Sequence, residues 1–236
     1  MEPSSFVAAP ARSYPDTAFV LASSLGPVEP NVATFYGQNY EACYLAGILA
    51  GAMSDTGIIG VVAGFDVPAT NVNINAYRAG AQETRPGVKL KVAYIGSWFD
   101  PPKAKEAAVA QAEQGAKVIY ADRVGAIEGA ADAGVTALGF MADQSAVAPD
   151  TVITSIIWDP YPLLSHAYGQ VAAGAFEAKD LSPLELMSAG GCYLAPYGNF
   201  ATKVPEAVQQ QIATKFEAIK GGAFKVEPDE STPVSD

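Results

Sequence analysis

Ile58 to Ala63 runs through six residues without one polar side chain. A strand with one face in water alternates polar and apolar residues, whereas an unbroken run of this length suits a strand buried on both faces. Such strands sit in sheets covered on both sides by helices, and the flanking sequence supplies a candidate. Tyr40, Tyr44, Leu45, Ile48, Leu49, Ala52 and Met53 recur at the helical period just before the run. Ala42, Cys43, Ala46, Gly47, Ala50 and Gly51 lie beside that stripe and allow a close approach to a neighbouring element. Asp55-Thr56-Gly57 then stops the helix.

The same alternation continues along the chain. Strands are expected over 18–22, 32–36, 88–95, 117–120, 136–140 and 152–157. Helices are expected over 75–82, 101–113, 126–133, a long stretch from Leu163 to Phe176, and a last one marked by Val208, Ile212, Phe216 and Ile219. Asp100 before Pro101 has the form of an N-cap followed by a first-turn proline. The polar, proline-containing tail from Glu227 is expected to be loose. Strands alternating with helices predict an α/β fold with a mainly parallel sheet. At 236 residues there is room for one large domain or two small ones.

Composition removes several classes of function. Twenty-five acidic against 14 basic side chains, a net charge of −11, leave no basic face for nucleic acid or anionic lipid. One histidine, His166, and two cysteines cannot cluster as a zinc site, so Cys43 and Cys192 are expected as buried free thiols. Met1-Glu2-Pro3-Ser4-Ser5 has neither the basic nor the apolar part of a secretory leader, so no signal peptide is expected in this chain. No phosphate-binding glycine loop and no nucleophile elbow is present. The residues therefore point to a binding module without cofactor or metal, and not to an enzyme.

In parallel sheets ligands bind beyond the carboxyl ends of the strands. The loops there would be 64–70, 96–102, 121–124, 141–145 and 158–161. Trp98 and Phe99 are adjacent aromatics on one of them; one is expected to plug the core and the other to face a cleft, where it could stack on a flat ligand. Asp100 is either the helix cap or a ligand acceptor. Asp143 and Asp159, each after a strand, could both be helix or turn caps. Trp158 is a further aromatic at a strand end, and Asp122-Arg123 reads as a local surface ion pair.

Several stretches, taken in order, resemble one family. They are Asn31-Val32-Ala33-Thr34, Tyr44-Leu45-Ala46-Gly47, Thr56 to Ala63, Ile74-Asn75-Ala76-Tyr77, Gly96 to Pro101, Gln114 to Ile119, Asp143-Gln144-Ser145 and Ala148-Pro149-Asp150. The chain is similar to the basic membrane protein family of ABC-transporter solute-binding proteins, that of the purine nucleoside receptors. The resemblance implies a type I periplasmic-binding-protein fold, with two doubly wound lobes closing on a ligand and the first lobe incomplete here. It implies residues 1–56 as the remainder of lobe 1, 57–158 as lobe 2, 159–226 as a return to lobe 1, and 227–236 as tail. It further implies a monomeric extracytoplasmic protein, anchored as a lipoprotein in the full-length family, that hands a purine base or nucleoside to a membrane permease.

Trp98 falls where nucleoside-binding members place a stacking aromatic. The acid and the lysine that such members use on the sugar correspond to Met141 and Trp158. Without those charged partners for ribose hydroxyls, a free nucleobase of the adenine or guanine type is the expected ligand. Trp98 would stack on it, Phe99 and Trp158 would wall the pocket, and Asp100, Asp143, Asn75 and Asp122 would contribute polar contacts. The alternatives are a nucleoside receptor, a ligand-sensing module and a small-molecule enzyme of the same α/β class.

Overall fold

The computed structural model describes residues 3–23 and 25–236, and the chain divides into two compact units, residues up to Gln38 with Asp159–Gly191, and Asn39–Trp158 with Cys192–Asp236. The second unit holds a six-stranded sheet: β3 (Ile58–Ala63), β4 (Lys89–Tyr94), β5 (Val118–Ala121), β6 (Thr136–Met141), β7 (Val152–Trp158) and β8 (Cys192–Leu194), in the order β4-β3-β5-β6-β7-β8. All neighbouring pairs are parallel except β7 with β8, which is antiparallel. The unbroken run Ile58 to Ala63 is thus next to the outer strand and flanked on both sides, as its composition demands.

Helices α2 (Tyr40–Met53), α3 (Pro68–Thr84), α4 (Pro101–Glu113), α5 (Ala126–Asp132) and α7 (Glu206–Lys220) belong to this unit. Twelve of the 14 residues of α2 are buried. Its small residues mate with α3: a Cβ on Gly47 would stand 2.0 Å from the Tyr77 carbonyl oxygen, and only glycine permits that approach. Val62, Ile119, Ala121, Ala104, Ala108, Ile127 and Ala130 fill the space between the sheet, α4 and α5.

The first unit is smaller. It contains α1 (Pro3–Ser13), a parallel pair of β1 (Phe19–Ala22) and β2 (Val32–Phe35), α6 (Tyr161–Ala172) and two short 3-10 turns. Ala33, Leu163, Ala167 and Leu181 form its core, with Val20, Phe35, Phe176 and Leu184 against them. The Glu185 carboxylate is buried and accepts hydrogen bonds from the Tyr36 and Gly37 amides, at 2.9–3.0 Å.

Four expectations are corrected. The first boundary lies at Gln38 rather than at 56, because the glycine and alanine face of α2 is committed to α3. The stretch from Cys192 onward does not return to the first unit; β8 pairs with β7 and α7 packs on α2. The helix of the first unit ends at Ala172, since Gly174 turns the chain with a φ of +65° and leaves Ala175 and Phe176 outside it. The tail is not loose: Asn75 Nδ2 donates to the carbonyls of Asp229 and Ser231, and Arg78 forms an ion pair with Asp236 at 2.9 Å. Cys43 and Cys192 are both buried, and neither is in a disulfide.

Candidate functional site

The carboxyl ends of β3, β4 and β5 bring one cluster together. After β3 the chain reads Gly64-Phe65, after β4 it turns at Gly96 (φ +70°) into Ser97-Trp98, and after β5 comes Asp122-Arg123. Gly96 N–H donates to the Gly64 carbonyl at 2.9 Å, which holds the first two loops side by side. The Trp98 ring rests on Gly64, where a Cβ would lie 2.8 Å from Trp98 Cε3. Phe65 leans on the same ring with centroids 4.9 Å apart and planes at 59°. Trp98 keeps 54% of its surface exposed.

Arg123 joins the third loop to this group. Its Nε donates to Asp122 Oδ2 at 2.8 Å, its Nη1 donates to the Trp98 carbonyl at 3.2 Å, and its guanidinium carbon lies 5.3 Å from the Trp98 ring centroid. The Asp122 side chain is 6% exposed and that of Arg123 19%, so the pair is sunk into the loops and is not the surface pair expected. Burial pushes the Asp122 carboxyl above its ordinary range; the Arg123 charge, its hydrogen bond and the Gly64 amide oppose this without cancelling it. Asp122 therefore faces inward, toward Arg123 and Gly64, and it holds the arginine where a direct ligand contact had been expected.

The other sequence-derived residues are placed as follows. Phe99 is 72% exposed, and neither aromatic of the 98–99 pair plugs the core, because Phe65 and Gly64 already fill the space beneath the loop. Asp100 Oδ1 accepts from the Lys103 amide at 3.2 Å, as the cap of α4. Asp143 Oδ1 closes a turn onto the Ser145 amide at 2.9 Å, and Asp159 Oδ1 does the same to Tyr161. Trp158 is half-buried at the end of β7, opposite Cys192. At about 4.8 Å per strand, β6 and β7 stand roughly 5 and 10 Å beyond β5 along the sheet. Asn75 leaves the set altogether, since its side chain amide is engaged by the tail.

Met141, at the end of β6, has a φ of +71°, the one positive value among described residues other than glycine. Backbone held in that region tends to mark positions fixed by function. The buried Asn39 side chain reaches its sulfur at 4.0 Å. Sequence reading missed the roles of Phe65 and Arg123; their only signal was that each lies two residues beyond a strand end. No group of acidic, histidine or cysteine side chains able to hold a metal occurs among the described residues. An apolar groove of about 750 Å³ lies elsewhere, between α7 and the segment after β8, lined by Tyr193, Pro196, Tyr197, Ile212 and Phe216.

The profile of the ABC transporter substrate-binding proteins described as PnrA-like matches residues 4–185. The chain belongs to this family. Two curated relatives are a purine-binding protein of Brucella abortus, 36% identical over 155 residues (64% of this chain, 44% of the relative), and a protein of Haloferax volcanii provisionally named as an ABC transporter glucose-binding protein, 33% identical over 230 residues (93% and 57%). The chain thus spans about half the length of these relatives. Among solved structures, an ABC transporter solute-binding protein of Aeropyrum pernix has a TM-score of 0.79 at 20% identity, covering 97% of this chain and 75% of that one. The fold expected from the resemblance, an α/β fold of the periplasmic-binding-protein kind with a mainly parallel sheet, is the fold observed. Family members are substrate-binding proteins, in accord with the reading as a binding module.

Proposed function

We propose that this chain is the ligand-binding portion of an extracytoplasmic receptor for an ABC importer, and that it takes a purine base, stacked on Trp98, for delivery to a membrane permease. The observation that carries the reading is the half-exposed Trp98 ring, seated on Gly64 and Phe65 at the carboxyl end of a parallel sheet. A tryptophan that is rigid from below and open above is a stacking platform, and such contacts are worth about 1–3 kcal/mol per base. The purine-binding relative from Brucella supports the ligand class. Met141 and Trp158, where nucleoside-binding members are expected to carry charge, support a free base over a nucleoside. Anchoring as a lipoprotein and a monomeric state are parts of the same proposal. A sugar is the second reading, supported by the Haloferax relative, which aligns with nearly the whole chain.

Calorimetric titration with adenine, guanine, hypoxanthine, xanthine, their nucleosides and glucose tests the proposal. Binding of at least one base, weakened tenfold or more by Trp98→Ala, is the expected result. Affinity for glucose alone, or an unchanged affinity in Trp98→Ala, overturns it.

A further inference from the structure

Arg123 carries donors that the protein does not use. A guanidinium offers five N–H donors in a planar fork. Nε is spent on Asp122 and one Nη1 hydrogen on the Trp98 carbonyl. The other three have no protein partner among the described residues, although the side chain is only 19% exposed. Its orientation is fixed from behind, because Asp122 is buried and is itself held by the Gly64 amide. The distance of 5.3 Å from the Trp98 centroid also matters. A planar group lying flat on the ring would sit at about 3.5–4.0 Å. The guanidinium carbon thus lies over the ring but farther from it than flat contact allows, and a base that shares the ring with it would meet its unused donors along one edge.

We propose that Arg123 reads the oxygen edge of the ligand, so that the site prefers 6-oxopurines over adenine; this rests on the purine reading above. A guanidinium fits O6 and N7 of a 6-oxopurine as a bidentate pair, whereas adenine presents its amino group, a donor, to the same donors. That edge is remote from N9, where a sugar attaches. The preference holds for bases and nucleosides alike and is independent of which of the two is carried.

The test uses the unaltered chain first. Hypoxanthine is expected to bind at least tenfold more tightly than adenine, and 7-deazahypoxanthine, which lacks N7, to lose a comparable factor. The paired variant Asp122→Asn with Arg123→Gln, which leaves no buried charge without a partner, is then expected to lose tenfold or more for hypoxanthine and less than threefold for adenine. If adenine binds as well as hypoxanthine to the unaltered chain, the arginine reading falls while the purine reading stands. Equal losses for both ligands in the variant would show that Arg123 only braces the Trp98 loop, and would also overturn it. Binding of no purine at all removes both readings.

Discussion

Gly80 of α3 lies so close to α2 that a methyl group in its place would sit 1.9 Å from the Tyr44 carbonyl oxygen. Gly47 of α2 makes the reciprocal approach to the Tyr77 carbonyl. The two helices meet backbone to backbone, and neither partner can yield as the end of a long side chain could. Gly80→Ala must push the helices apart. It is expected to destabilise the chain by about 3 kcal/mol, the upper end for overpacking, measured by urea unfolding with the slope unchanged.

Gly64 has a different neighbour. A Cβ there meets the Trp98 ring at 2.8 Å and the Ser97 carbonyl at 3.1 Å. Gly64→Ala is expected to shift Trp98 without unfolding the chain. Ligand affinity should fall by about tenfold, the lower part of the stacking range, while the melting temperature moves by only a few degrees (~3 °C). A changed tryptophan emission spectrum would report the displaced ring.

Gln111 crosses from α4 to the sheet. Its Nε2 donates to the carbonyls of Val61 on β3 and Lys91 on β4, at 2.8 and 3.2 Å. Gly60 leaves room for its amide oxygen, 2.3 Å from where a Cβ would be. Gln111→Glu would set a buried carboxylate against two carbonyl oxygens. A loss of about 3 kcal/mol or more is expected at neutral pH, and about 1 kcal/mol for Gln111→Met, which removes the donor together with the unpartnered amide oxygen and adds no charge. Thermal unfolding of the two variants separates these outcomes.

Glu83 links α3 to α7. Burial pushes its carboxyl up, but hydrogen bonds from Lys215 and the Tyr44 hydroxyl, with the Lys215 charge, hold it below its ordinary value of 4.5. A carboxyl lowered by folding contributes stability above its unfolded value, and loses it as pH falls through the folded one. Lys215→Met is therefore expected to cost about 0.5 kcal/mol at pH 7 and less at pH 3, read from urea midpoints at the two pH values.

The parts of this fold legible in the sequence are those whose cause is local. Helices α2 and α4 and strand β3 match their expected limits, because an apolar stripe, a cap with its proline, and a continuous apolar run each act within a few residues. Strand β8 carries no such pattern. It has three residues, and its pairing partner Trp158 lies 34 positions before Cys192. The tail misled for the same reason, since its hydrogen bonds go to α3 and β4 and leave no trace in its own composition. In the site, Trp98 was visible as an aromatic out of place on a loop. Its cluster with Phe65 and Arg123 was not, because three loops far apart in sequence build it. Asp100 and Asp143 show the converse: one acidic residue serves caps, turns and ligands equally well on paper, and in the fold each accepts from a nearby amide.

The tail's course has one more consequence. Asp236 N–H donates to the Leu90 carbonyl at 2.8 Å, Leu90 N–H to Asp236 Oδ2 at 3.0 Å, and Val92 N–H to Ser235 Oγ at 3.2 Å. Strand β4 is the outermost of its sheet, so these bonds occupy a row of groups that would otherwise template another strand. Ser235 and Asp236 thus act as a selvedge that keeps one molecule from being stitched to the next. Replacing Ser235 and Asp236 by residues that cannot make these bonds would leave the hydrophobic core untouched and create a sticky border, open to pairing with a strand of a second copy.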